Sequence, residues 1–182
     1  MRGMEKTLAS LDFAKDRGLK RSLRQELLYW RPSGRRVVAA VCYRRQATGE
    51  VEFLLVRTRA GRWTFPKGGV GSDPTDAIAA AREAREEAGV FGQVEPLAFT
   101  WYLHYKSESD THTVNAHLCR VAHLENPLEC FRTPRWFSAE RAKRRLREER
   151  PGFYAEELER VVDQAVRRVE AGTPQSGLSH LN

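Results

Sequence analysis

The sequence predicts an α/β sandwich with a mixed β-sheet, and three observations carry this prediction. Apolar, β-branched segments of strand length come first and are joined by short turns. One helical segment with its own start and stop signals lies among them, and further helical segments follow the last strand. The chain has 182 residues. That length suits one domain with short helical extensions at both ends.

The first two strands form a predicted hairpin. Residues 36–44 are apolar and β-branched in their middle, as in a buried strand, and residues 51–57 repeat this character. Residues 46–50 between them contain a glycine and supply a turn. Residues 62–66 then read as a short extended piece that ends at a proline.

A glycine-rich loop at 67–72 leads into the first helix of the domain. Asp73 is the predicted N-cap, Pro74 the first helical residue, and Gly89 the stop after Ala88. A face of small residues permits close packing on a sheet and places the neighbouring glutamates at the edge of the core. This face consists of alanines 77, 80, 81, 84 and 88.

The second half of the chain contains strands and then helices. A strand is predicted over 94–106 and another over 111–121, joined by a turn at 107–110. A short strand at 135–137 and helices at 139–148 and 153–170 follow.

These elements define three segments. Residues 1–35 read as an N-terminal helical extension, 36–150 as the main domain, and 151–182 as a C-terminal helix with a flexible tail. The helices in the two extensions are expected either to cover the sandwich or to form a homodimer contact.

Composition narrows the functional classes. No run of 18 apolar residues exists, which argues against a membrane-spanning helix, and the first twenty residues lack the apolar stretch of a signal peptide. Cys42, Cys119 and Cys130 have no metal-type spacing, and Cys42 and Cys119 lie in apolar strands as expected for reduced core residues. A cytoplasmic enzyme is the simplest setting.

Charge favours an anionic partner. The formal net charge is +7, which suits nucleotides or polyphosphates. Nucleic acid is a weaker alternative that requires steeply salt-dependent binding. Residues 141–150 hold much of the basic excess and read as a solvated helix.

Three glutamates carry the functional prediction. Glu83, Glu86 and Glu87 stand at i, i+3 and i+4, so a helix places them on one arc of about 100°. Such hard oxygen ligands suit Mg²⁺ or Mn²⁺. The alternative is an exposed charged helix that Arg82 and Arg85 balance.

The segment from Gly68 to Val90 resembles the Nudix box, the signature of the Nudix hydrolases. The matching positions are Gly68, Arg82, Glu83, Glu86, Glu87, Gly89 and Val90, with Ala84 an acceptable small apolar residue. Pro74 departs from the pattern, because the family has its first glutamate there. The flanks at 62–69 and 135–140 also look like those of relatives, and the resemblance covers about residues 36–150.

This resemblance implies a Nudix-type α/β/α sandwich that hydrolyses a nucleoside diphosphate linked to another group. It makes Glu83, Glu86 and Glu87 metal ligands, together with the backbone carbonyl of Lys67. It gives Arg82 the role of orienting the carboxylates. Glu83, Glu86 and Arg82 are thus the catalytic candidates, and relatives differ in which residue is the general base.

Substrate-binding candidates precede the box. Relatives hold polyphosphate in this region, and the residues concerned here are Arg57, Arg59, Arg62, Lys67, Gly68 and Gly69. Trp63, Tyr102 and Tyr105 are expected mainly in the core, and His104 is a minor catalytic candidate. An acidic residue outside the box is common in the family; the candidates are Glu108, Asp110, Glu125 and Glu129.

The resemblance favours dinucleoside polyphosphates or diphosphoinositol polyphosphates as the phosphorylated small-molecule substrate. An ADP-ribose pyrophosphatase is the alternative within the enzyme class. A catalytically weak, nucleotide-binding regulator is the alternative from another class, and Pro74 is the residue that favours it.

Overall fold

The computed structural model describes residues 36–107 and 110–172. Its strands are β1 (Val37–Arg45), β2 (Val51–Arg57), β3 (Trp63–Thr64), β4 (Lys67–Gly69), β5 (Val90–Val94), β6 (Thr100–Ser107), β7 (Asp110–Leu124) and β8 (Arg135–Ser138). Its helices are α1 (Asp76–Ala88), α2 (Ala139–Arg147) and α3 (Gly152–Ala171), with a 3₁₀ turn at Cys130–Arg132. The predicted N-terminal extension and the end of the tail lie outside the described residues.

The strands form one mixed sheet centred on β1. Strand β1 runs parallel to β7 and antiparallel to β2 and β4. The order is β3-β2-β1-β7-β5, with β8 beside β2 and β6 beside β7. Because β4 pairs with the first residues of β1, the glycine loop is fixed to the centre of the sheet, next to the start of α1.

Both faces of the sheet are covered by helices. Successive side chains of a strand point to opposite faces. In β1, Val38 and Ala40 therefore pack with α1, whereas Ala39 and Val41 pack with α2 and α3. Burial on both faces explains why β1 is continuously apolar. This arrangement confirms the predicted α/β/α sandwich.

The prediction of one strand over 94–106 is wrong. Strand β5 occupies Val90–Val94 and pairs with the second half of β7, and the next strand begins at Thr100. Leu97, which the alternating pattern assigned to that strand, is 79% exposed. The alternating apolar residues continue through the connection between β5 and β6. Periodicity alone does not show where the chain leaves the sheet.

The predicted helix start is also displaced by two residues. Thr75 is the N-cap, and its hydroxyl accepts a hydrogen bond from Ile78 N–H at 3.2 Å. Pro74 lies before the cap, exposed and outside the helix. Asp73 does not cap because its carboxylate accepts a hydrogen bond from Arg82 Nε at 3.0 Å.

Helix α3 closes one face of the sandwich. It spans Gly152–Ala171, close to the predicted 153–170, and its Leu158, Val161 and Val162 belong to the core. Within the described ranges, no helix has the length and apolar composition needed to cross a bilayer. Cys42 and Cys119 are buried and unpaired, as predicted.

Candidate metal and phosphate site

Helix α1 holds the glutamates in place through well-defined ends. Gly89 at its C-terminus has a φ of 65°, and its N–H donates to Arg85 O at 2.9 Å. A Cβ at Gly89 would also overlap the carbonyl of Glu125. The left-handed conformation and this close approach both require glycine here.

Arg82 connects the glycine loop to two of the box carboxylates. Its Nε and one terminal nitrogen donate to Asp73 Oδ2 at 3.0 Å and to Gly69 O at 2.8 Å. The other terminal nitrogen donates to Glu83 Oε1 at 2.8 Å and to Glu86 Oε2 at 3.0 Å. The rigid guanidinium therefore fixes both carboxylates relative to the loop.

Gly68 and Glu83 are in close contact. A Cβ at residue 68 would overlap the Glu83 carboxylate, so only glycine leaves room for it. Glu83 is 8% exposed. Burial raises the pKa of this carboxyl, although Arg82 acts to lower it.

Glu87 lies on the inner side of the helix. It is 3% exposed, and its Oε2 accepts a hydrogen bond from the Lys67 backbone N–H at 3.2 Å. Its Oε1 forms an ion pair with Arg132. Burial raises the pKa of Glu87 to about 7, although Arg132 and Lys67 act in the opposite direction. This carboxylate is therefore poised to change its charge near neutral pH.

Glu129 is the acidic residue outside the box that lies beside these groups. Its carboxylate accepts a hydrogen bond from Arg132 Nε at 2.6 Å, and its backbone N–H donates to Glu86 O at 3.0 Å. Glu125, in contrast, is exposed and lies 3.6 Å from His123. Glu108 and the side chain of Asp110 lie outside the described residues.

The three box carboxylates are shared between two guanidinium groups. Arg82 holds Glu83 and Glu86, whereas Arg132 holds Glu87. In the described parts of the chain, no three acidic, histidine or cysteine side chains converge on one metal position. The predicted ligands thus lie on one helix face, and each has a cationic partner.

The predicted phosphate-binding cations occupy two environments. Arg57 and Arg59 are exposed and stack on aromatic rings, 4.7 Å from the centroid of Trp63 and 5.0 Å from that of Phe131. Arg62 is partly buried. Lys67 is also partly buried, and burial lowers its pKa to about 8 although Glu87 acts to raise it.

His104 is a neutral imidazole at physiological pH. Burial, together with the nearby cations Lys67 and Arg150, lowers its pKa to about 3. Trp63 and Tyr102 are buried, as expected for core residues. The side chain of Tyr105 lies outside the described residues.

Sequence reasoning missed Arg132 and Arg150. Arg132 pairs with Glu87 across 45 positions of the chain, and the one sequence signal was its i+3 spacing from Glu129. Arg150 was assigned to a solvated basic helix. However, α2 ends at Arg147, and Arg150 is partly buried with its guanidinium bonded to the carbonyls of Leu146 and Trp63.

Comparisons with known proteins show which family the chain resembles. The NUDIX domain model matches residues 34–156, which is more than half of the chain. Diphosphoinositol polyphosphate phosphohydrolase 2 of Rattus norvegicus is 28% identical over 141 residues, which cover 75% of this chain and 76% of the relative.

Two solved structures show the same fold at low identity. A C. elegans Ap4A hydrolase binary complex matches with a TM-score of 0.55 and 20% identity over 75% of this chain and 98% of that one. The NUDIX domain of Shewanella oneidensis NrtR complexed with ADP ribose matches with a TM-score of 0.57 and 14% identity over 80% and 97% of the two chains. From its box, its fold and the match of the family model, this chain belongs to the Nudix hydrolase family.

Proposed function

We propose that this protein uses a divalent cation to hydrolyse a phosphoanhydride bond in a polyphosphorylated small molecule. The observation that carries the proposal is the set of hydrogen bonds around Arg82, which holds Glu83 and Glu86 against the loop at Gly69. A helix face with preorganised carboxylates suits a reaction whose catalysis depends on positioning and charge neutralisation.

The donor set fits Mg²⁺ or Mn²⁺. Glu83, Glu86, Glu87 and the carbonyl of Lys67 supply only oxygen ligands, and Gly68 leaves the space that the Glu83 carboxylate occupies. When bound, such a cation would neutralise charge on the diphosphate. Burial raises the pKa of Glu83 and Glu87, and a bound cation would lower it again because it stabilises the ionised carboxylates.

The acidic group outside the box is assigned to Glu129. Its hydrogen bonds to Arg132 and to the carbonyl of Glu86 keep it beside the box helix. Glu83, Glu86 and Glu129 are the candidates for the general base, and Arg82 holds the first two in position. His104 is a poor candidate, because a base with a pKa of about 3 accepts a proton weakly.

Dinucleoside polyphosphates and diphosphoinositol polyphosphates are the favoured substrate classes. The names of the rat relative and of the C. elegans structure refer to these two classes. The net charge of +7 and the basic residues before the box suit such highly anionic substrates.

Two other functions have specific support. The likeness to a NUDIX domain complexed with ADP ribose makes ADP-ribose a second candidate ligand, which would be the substrate of an ADP-ribose pyrophosphatase. Pro74 in place of the first box glutamate favours a regulator that binds nucleotide without cleaving it. A homodimer and a cytoplasmic location also stay predictions, the second supported by the unpaired, buried Cys42 and Cys119.

A substrate panel with product masses tests the proposal. Diadenosine tetraphosphate, a diphosphoinositol polyphosphate and ADP-ribose are incubated with Mg²⁺ or Mn²⁺, beside Glu86→Gln and the exposed control Glu170→Gln. We expect Glu86→Gln to lower turnover by about 10²–10⁴-fold, whereas Glu170→Gln matches the wild type. Equal background release from wild type and Glu86→Gln would instead support the regulator.

A further inference from the structure

Arg150 is a partly buried guanidinium without a carboxylate partner among the described residues. Its two terminal nitrogens donate to backbone carbonyls, one to Leu146 at 2.6 Å and the other to Trp63. These bonds fix the group beside Trp63 and leave it without a direct ion pair, since Glu148 and Glu149 act on it only at longer range. A buried charge normally needs a counter-ion, because desolvation is costly.

Other cationic groups face the same place. Arg62 is close enough to help lower the pKa of Arg150 to about 10, after the larger effect of burial. Lys67 lies on β4. Both Lys67 and Arg150 are close enough to His104 to help lower its pKa. Glu87 offsets part of the charge of Lys67. Among the described residues, however, no carboxylate forms an ion pair with Arg62 or Arg150, so these two guanidinium groups favour an anion beside them.

Tyr102 supplies an independent observation. Its side chain is fully buried, and its ring packs 6.3 Å from the ring of Phe65. Its hydroxyl has no hydrogen-bond partner within the described residues and interacts electrostatically with Arg150 and Glu87. An unsatisfied buried hydroxyl costs about 1–3 kcal/mol, so a ligand oxygen next to Arg150 would remove this cost.

We propose that Arg62, Lys67, Arg150 and the Tyr102 hydroxyl form a phosphate subsite beside the box carboxylates. The subsite takes a phosphate group of the substrate beyond the diphosphate that is cleaved. The two guanidinium groups offer paired N–H donors to phosphate oxygens, and the phenol offers one more. The inference rests on the proposed function and extends it, because it selects substrates with three or more phosphates over ADP-ribose.

Binding without catalysis tests the subsite. Inorganic triphosphate is titrated into the full-length protein in EDTA at low salt, and heat is measured by calorimetry. We expect Arg150→Gln to weaken binding by about tenfold or more, since charge-assisted hydrogen bonds are worth about 1.5–3 kcal/mol. Arg144→Gln removes one exposed charge from the preceding helix α2 and should bind as the wild type does.

Tyr102→Phe separates binding from folding. It removes only the unpartnered hydroxyl, so the variant should be at least as resistant to thermal unfolding as the wild type, while triphosphate binding weakens by about threefold or more. If the wild type does not bind triphosphate, or if Arg144→Gln loses as much affinity as Arg150→Gln, the subsite is wrong. If neither Arg150→Gln nor Tyr102→Phe weakens binding, it is wrong as well.

Failure of the proposed function gives a different result. If the wild type hydrolyses none of the panel substrates while Arg150→Gln and Tyr102→Phe still weaken triphosphate binding, the result would support the subsite and contradict the proposed enzymatic function. Hydrolysis that depends on Glu86, with binding insensitive to both variants, would support the enzyme and contradict the subsite.

Discussion

Arg132, three residues after Glu129, forms an ion pair with the buried carboxylate of Glu87 on the box helix. The pair joins the 3₁₀ turn after β7 to α1, next to the hydrogen bond from Glu129 N–H to Glu86 O. It also favours the ionised form of Glu87, because the guanidinium acts to lower a pKa that burial raises.

Removal of Arg132 should therefore destabilise the metal-free protein. Arg132→Ala leaves the buried Glu87 carboxylate without its guanidinium partner, and we expect a loss of about 2–4 kcal/mol in the free energy of unfolding at pH 8. The loss should be smaller at pH 6, where Glu87 can take up a proton. Urea denaturation in EDTA measures both values, with exposed Arg141→Ala as the control. A loss that is equal at both pH values would contradict this role of Glu87.

Glu87 should also make the stability of the wild type depend on pH. Its pKa in the folded protein is about 7, above the ordinary value of 4.5, so folding favours the protonated form. This contribution is complete below pH 4.5 and is lost as the pH rises through 7. In EDTA we expect a loss on the order of 2–3 kcal/mol between pH 5 and pH 8.

Glu87→Gln provides the comparison for this pH effect. The amide does not titrate. The free energy of unfolding of the variant, measured with denaturant, should therefore lack the part of the decline above pH 5 that Glu87 causes. If the free energy of unfolding falls equally with pH in both proteins, groups other than Glu87 cause the pH dependence. Saturating Mg²⁺ should flatten the wild-type curve, because a cation favours ionised Glu87.

Gly68→Ala should reduce activity far more than stability. The new methyl group would overlap the end of the Glu83 side chain, which can move, so the free energy of unfolding should fall by only about 1 kcal/mol. The displaced carboxylate would lose its geometry, and kcat/KM should fall about a hundredfold or more, equivalent to about 2.7 kcal/mol.

Gly152→Ala is the matched control for this substitution. Its Cβ meets no atom within 4 Å, so activity should match the wild type. Activity of Gly68→Ala within about threefold of the wild type would mean that the position of Glu83 is not critical.

The sequence was sufficient for features that depend on local spacing. The box helix, its Gly89 stop and the common face of the glutamates follow from periods of three and four residues, and the structure has each of them. Buried strand β1 was also predictable, because burial on both faces produces a continuous apolar run.

Features that depend on long-range contacts were not predictable. Asp73 is a good N-cap by local rules, but Arg82, nine residues later, binds it and leaves the cap to Thr75. The sequence predicts that Arg150 belongs to a solvated helix. In the structure its guanidinium instead donates to the carbonyl of Trp63. No period in the sequence encodes either contact.

Asp73 should matter more than Pro74, although Pro74 is the position that departs from the family pattern. Asp73 binds the Nε of Arg82, the residue that holds Glu83 and Glu86. Asp73→Asn weakens this charge-assisted bond and should lower kcat/KM about tenfold, for a loss of about 1.4 kcal/mol.

Pro74→Glu restores the family residue at an exposed position before the helix cap. Arg82 already has an acidic partner in Asp73, so a second carboxylate nearby adds little, and kcat/KM should stay within about threefold of the wild type. Steady-state kinetics on the best substrate of the panel measures both variants. A gain of a hundredfold in Pro74→Glu would instead show that the proline had reduced catalysis, because the missing glutamate would then supply a contact that Asp73 does not.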